Sequence, residues 1–130
     1  MLPYTFQKSD KFDVYAKLTP AKEVGGDLFD YLVRDNCLYI AIGLVDDFDF
    51  EKETLQLSKG TRLLLYTDGV TEAEDVDKNQ YGEDRLLEFI QNTSEEDSSE
   101  AVINKLFSSV KEFTGENVQN DDITVLTVKL

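Results

Sequence analysis

Four aspartates stand out by residue type and by place. "EVGGD" sets Asp27 after two glycines at the start of a β-rich run, "RLLLYTDG" sets Asp68 just past the end of another, and "NDDIT" sets Asp121 and Asp122 immediately before a third. Each fragment alone also reads as ordinary punctuation, because Asp, Asn and Gly are turn residues and an acid beside a strand end is usually solvated. Their conjunction has a chemistry. Carboxylates brought to one edge by several strand ends, in a chain without histidine, make an oxygen-only donor set suited to a hard cation such as Mg²⁺ or Mn²⁺.

Composition agrees with a cation as the favoured small partner. The 130-residue chain carries 27 acidic against 13 basic side chains, a net charge of −14. Such a field repels nucleic acid and anionic membranes. The absence of His and the presence of one Cys exclude a His/Cys zinc site, a Ser-His-Asp triad and a disulfide framework within one chain. Cys37, inside "CLYIAIGLV", reads as a small buried hydrophobe. The segment "MLPYTFQKSD" lacks the charged, apolar and small-residue regions of a signal peptide, and no apolar run approaches the ~20 residues of a membrane span. The expectation is a soluble cytoplasmic domain with no sensor segment attached. Its length suits a single unit over 1–130 with one core.

The elements that must position the acids follow from periodicity. "FDVYAKL" alternates apolar and polar residues as a strand with one buried face does, and "LFDYLVRDNCLYIAIG" reads as a hairpin turning at Arg34, Asp35 and Asn36. Residues 38–45 are apolar on both faces, which predicts a central strand. A weaker strand over Thr54–Leu57, the turn "SKG" and a second doubly apolar strand over Arg62–Thr67 suggest a second hairpin. Two helices follow. In "GEDRLLEFIQN" Leu86, Phe89 and Ile90 share a face, and in "DSSEAVINKLFSSVKEFTG" Val102, Leu106, Val110 and Phe113 form a stripe. Asp97 and Glu100 are spaced as a capping box, and Gly115 as a stop. "ITVLTVKL" is the last strand, and the class is α+β.

The segments "KEVGGDLFDY", "RLLLYTDGVTEAED…YGEDRL" and "NDDITVLTVKL" resemble, in that order, the SpoIIE and RsbU type of the metal-dependent (type 2C) serine/threonine protein phosphatases. The resemblance implies an antiparallel β-sandwich flanked by helices, with a pair of Mg²⁺ or Mn²⁺ ions at one edge. It implies hydrolysis of phosphoserine or phosphothreonine by metal-activated water, commonly on an anti-sigma-factor antagonist. It also assigns residues: Asp27, Asp68 and Asp121 match the metal ligands, Asp122 is a second-choice ligand, and Lys22 is the nearest candidate for holding phosphate, with a solvated loop lysine as the alternative. Arg34, Arg62 and Arg85 fall where surface ion pairs are expected.

The chain departs from that pattern at one point. After "LYIAIG" the family continues with an Asp-Val-Ser-Gly-type motif and two long helices, whereas here "IAIG" runs directly into "LVDDFDF". The domain is internally shortened near Gly43 and Leu44. The lost motif includes the aspartate that bridges both ions, and Asp46 and Asp47 belong by resemblance to a later, outer strand. Two expectations follow: a phosphatase domain with reduced activity and one metal site, or a non-catalytic remnant that binds a metal or a partner. The absent helices also leave a sheet face uncovered, which predicts a homodimer.

Overall fold

The strand farthest along the chain organises the sheet. "ITVLTVK", rich in β-branched residues, forms a strand in which the first six residues are all buried. In the computed structural model, which describes residues 11–21, 27–34, 37–44 and 56–130 with the side chains of 27–34 and 37–44 excepted, the elements are β1 (Asp13–Thr19), β2 (Asp27–Arg34), β3 (Cys37–Leu44), β4 (Arg62–Tyr66), α1 (Asp68–Thr71), α2 (Gly82–Gln91), α3 (Ser99–Thr114) and β5 (Ile123–Lys129). β5 lies between β1 and β4. It is antiparallel to both, in register from Asp13↔Lys129 to Thr19↔Ile123 on one side and from Arg62↔Lys129 to Tyr66↔Val125 on the other. β2 and β3 form a separate antiparallel pair, and β2 comes within 8 Å of β5, Cα to Cα.

Alternation along β5 divides the core. Ile123 and Val125 join Val70, Tyr81, Leu86, Ile103, Leu106 and Val110 on the helical side. Leu126 and Val128 join Val14 and Ala16 on the other. Each fully buried aliphatic side chain contributes about 1.5–3 kcal/mol. The stripe on α3 is as expected and gains Ile103, which is wholly buried. α2 is held more lightly: Leu86 is buried and Phe89 packs beside it, but Ile90 is exposed. Tyr81 carries the missing contact, with its ring edge-on to Phe113 at 5.6 Å and its hydroxyl 2.8 Å from the Ser109 hydroxyl.

The α+β class and the antiparallel pairing agree with the sequence reading, and two strand expectations do not. Among the described residues the central strand is β5, while β3 sits in the two-stranded sheet. The expected second hairpin is also absent from them: β4 pairs with β5, and Gln56 and Leu57 are not in a strand, while Thr54 and Leu55 lie outside the described residues. Both misreadings come from assuming that neighbours in sequence pair. The partner of β4 begins more than fifty residues later.

The start of α3 corrects a third expectation. The N-cap is Ser98, whose hydroxyl accepts the Ala101 N–H at 3.1 Å. Asp97 is instead drawn to Lys105, 2.7 Å away, and accepts the Ser94 N–H. The Lys105 ammonium holds the Asp97 carboxyl below the usual carboxylate range. At the other end Gly115 caps the helix at φ 60, where a side chain would be strained. Ser98→Ala should therefore lower stability by about 1 kcal/mol, or about 3–5 °C in a thermal melt, and Glu100→Ala, which removes only a first-turn acid, should cost less. The reverse order would restore the Asp97 and Glu100 box.

Candidate metal centre

Three chain segments meet at one end of the three-stranded sheet: the end of β1, the end of β4 and the start of β5. Thr67 closes the junction. Its N–H donates to the Thr124 carbonyl at 3.0 Å. Its hydroxyl accepts the Thr124 N–H at 3.1 Å and donates to the Asp122 carbonyl at 3.4 Å. Asp68 then opens the short helix α1 as an exposed residue. Gly69 follows because nothing larger fits, since a Cβ there would lie 2.0 Å from the Asp122 carbonyl oxygen.

The two adjacent acids of "NDDIT" have different surroundings. Asp122 is 9% exposed and its Oδ1 accepts the Ala21 N–H at 2.8 Å, tying the chain beyond β1 to the start of β5. Asp121 is exposed, with Oδ1 accepting the Asp122 N–H at 2.7 Å. Gln119 adds a second tie, its amide donating to the carbonyls of Thr19 and Asp121, each at 2.7 Å. The structure thus puts Asp68 and Asp121 at neighbouring strand ends with solvent access, and Asp122 in a scaffold role.

Asp27 is the first residue of β2 and stands opposite Leu44 in the β2–β3 ladder. The position after Gly43 is where the resemblance implies the bridging aspartate, so Leu44 occupies that register position with no oxygen to offer. Lys22, Asp46 and Asp47 lie outside the described residues, as does the turn at Asp35 and Asn36. Among the described residues no group of three or more Asp, Glu, His or Cys could hold a metal. Asp68 and Asp121 offer carboxylate oxygens of the kind that hard divalent ions take.

The loop after α1 was not legible as an ordered structure. Asp75 binds the N–H groups of Asp77 and Asn79 through Oδ1, both at 2.9 Å, and the Asn79 side chain through Oδ2 at 2.9 Å. The Asn79 side-chain amide, first among these donors, holds the Asp75 carboxyl below its ordinary range. Arg62 and Arg85 do not make the expected ion pairs in simple form. Arg62 donates to the Asp97 carbonyl. Arg85 donates to the Gln80 and Tyr81 carbonyls and lies 4.6 Å over the Phe113 ring.

With this geometry in place, the family profile described as Stage II sporulation protein E (SpoIIE) matches residues 31–130. The chain belongs to that family. Asp68, Asp121 and Asp122 lie inside the matched span; Lys22 and Asp27 precede it. Protein IcfG of Synechocystis sp. is 28% identical over 88 residues, which are 68% of this chain and 14% of that protein. The SiaA-PP2C domain of Pseudomonas aeruginosa aligns over 92% of this chain and 44% of its own at 20% identity, with a TM-score of 0.56. The PP2C phosphatase domain of SpoIIE from Bacillus subtilis, solved with a fragment of its regulatory domain, aligns over 90% of this chain and 34% of its own at 18% identity, with a TM-score of 0.48. The likeness to the SiaA domain establishes a PP2C-type fold. This chain spans less than half of each of these relatives. No helix among the described residues is long and apolar enough to cross a membrane.

The close approach at Gly69 is directly testable. Gly69→Ala should cost about 1–3 kcal/mol or more, because the clash is with backbone that has no rotamer to change. Thr67→Val should cost about 1 kcal/mol for its lost hydrogen bonds. Parent-like denaturant stability in Gly69→Ala would mean that α1 does not abut the start of β5.

Proposed function

We propose that this chain is a metal-dependent serine/threonine phosphatase domain of reduced activity, acting in the cytoplasm on a phosphoserine or phosphothreonine of a regulatory protein such as an anti-sigma-factor antagonist. The observation that carries the reading is the meeting of Asp68 and Asp121 at adjacent strand ends in a SpoIIE-family chain. Asp27, Asp68 and Asp121 would hold Mn²⁺ or Mg²⁺, with Asp122 as a reserve donor and Lys22 near the phosphate. A bound divalent ion would neutralise charge on the phosphoryl group and acidify a water. The chain's own part is to fix those carboxylates, with Thr67, Gly69 and Asp122 holding the strand ends in place.

The register Asp27↔Leu44 favours a second reading, a remnant that binds one metal ion or a partner without turnover. Hydrolysis of p-nitrophenyl phosphate with Mn²⁺ separates the two. Manganese-dependent turnover that disappears in Asp68→Asn and persists in Asp46→Asn supports the phosphatase; metal binding without turnover supports the remnant. Calorimetry should show a single Mn²⁺ site, tightened in Leu44→Asp, and two equivalent ions in the parent would overturn the single-site assignment. In EDTA, Asp68→Asn should melt above the parent, because it removes one of two repelling acids. It should then lose most of the Mn²⁺-induced rise.

The sequence of β3, apolar at both alternating sets of positions, supports a homodimer through that sheet. Light scattering at tens of micromolar should report a dimer, roughly where a modest apolar interface holds. A clean monomer argues against it.

A further inference from the structure

An open groove of about 770 Å³ runs from the candidate metal edge along α3. Asp121 and Gly69 line its near end, and Phe107, Val110 and Val118 supply apolar surface farther along. Val110 is buried, Phe107 is half-buried, and Val118 is 76% exposed, which is unusual for a large aliphatic residue beside a concave surface. The charges around this surface are unequal in availability. Lys17 is held 4.5 Å over the Phe107 ring, and the Lys111 ammonium donates to the Gly115 carbonyl at 2.7 Å. Glu72 and Glu112, both exposed on the lining, have no ion-pair partner among the described residues. The lining sets Glu72, Glu74, Glu112 and Asp121 against Lys17 and Lys111, and so offers apolar surface beside an excess of negative charge.

We propose that this groove docks a basic, apolar segment of the phosphoprotein substrate, flanking the phosphorylated residue, with its aliphatic side chains on Phe107, Val110 and Val118 and its Lys or Arg side chains toward Glu72 and Glu112. The assignment of the occupant as substrate rests on the phosphatase reading; the charge and apolar preferences of the groove do not. Charge complementarity selects the partner. A chain of net charge −14 repels acidic segments, and in this groove that field is joined to a concave apolar surface. Continuity with Asp121 would place a segment so docked beside the carboxylate edge.

The test uses unphosphorylated probes in EDTA, so that turnover and metal play no part. A fluorescein-labelled peptide of roughly 15 residues, with Leu at helical spacing and Lys between, is compared with its Lys-to-Glu counterpart by anisotropy. The Lys peptide should bind and the Glu peptide should not. Glu72→Lys with Glu112→Lys should weaken the Lys peptide about tenfold and bring the Glu peptide into range, and Val118→Asp should weaken the Lys peptide. The paired reversal Glu95→Lys with Glu96→Lys, exposed beside the Lys129 end of β5 and opposite the groove's Ile123 end, should change neither. Equal effects of the two reversals would assign the binding to net charge alone and overturn the groove; absence of Lys-peptide binding would also overturn it. Failure of the phosphatase reading would appear separately, as docking that survives in a chain without Mn²⁺-dependent turnover.

Discussion

The structure depends on the contact between the start of α1 and the start of β5. The Asp122 carbonyl occupies the space where Gly69 would carry a Cβ, and the Thr67 hydroxyl bridges the same carbonyl to the Thr124 N–H. Because β5 is the inner strand, fixing its first residues against β4 also fixes β1 through the Asp122 carboxylate and the Ala21 N–H. A buried carboxylate without partners is costly, and this one is positioned by a donor from the chain just beyond β1, 101 residues earlier. The edge that presents Asp68 and Asp121 is thus a consequence of core closure rather than a mobile loop decorated with acids.

That closure explains why a chain so strongly acidic folds around acids. Asp122 is satisfied by backbone and removed from solvent, while Asp121 and Asp68 remain exposed, where water screens their mutual repulsion. Elsewhere the acids are managed by neighbours. Asp97 is held by Lys105, Asp75 by its own loop's amides, and Glu74 by Lys78 at 3.0 Å. These are surface arrangements with small individual energies, so the core clusters on the two faces of β5 carry the stability.

The parts of this fold legible in the sequence are those with local causes. Period-two alternation marked β1, a β-branched run marked β5, and the 3.6-residue stripe marked α3, since each signal lies within its own element. Strand order was not legible in the same way. β4 and β5 are both apolar on two faces, and nothing in either names its partner; the pairing is decided by how α1 to α3 fold back between them. The cap on α3 slipped by one residue because Asp97 and Ser98 are both good caps, and the choice was made by Lys105, two turns into the helix. At the candidate site the aspartates were legible as strand-end acids. The separate role of Asp122 was not, because the donor that fixes it belongs to Ala21, a residue with no polar side chain to draw attention.

The same logic bears on the end of β3. β3 runs unbroken from Cys37 to Leu44, and its last residue pairs with Asp27, so Gly43 and Leu44 sit within a regular ladder. Backbone pairing at this register position is ordinary, and the residue it sets opposite Asp27 is aliphatic rather than acidic. A carboxylate there, as in Leu44→Asp, would add repulsion among the edge acids in the absence of metal and add charge available to hold a cation by the same substitution. An edge with leucine at this position is easier to keep folded without a cation and, on the proposed reading, weaker at binding a pair of them. On that reading, stability without a cation and affinity for cations are set in opposition by one position on β3.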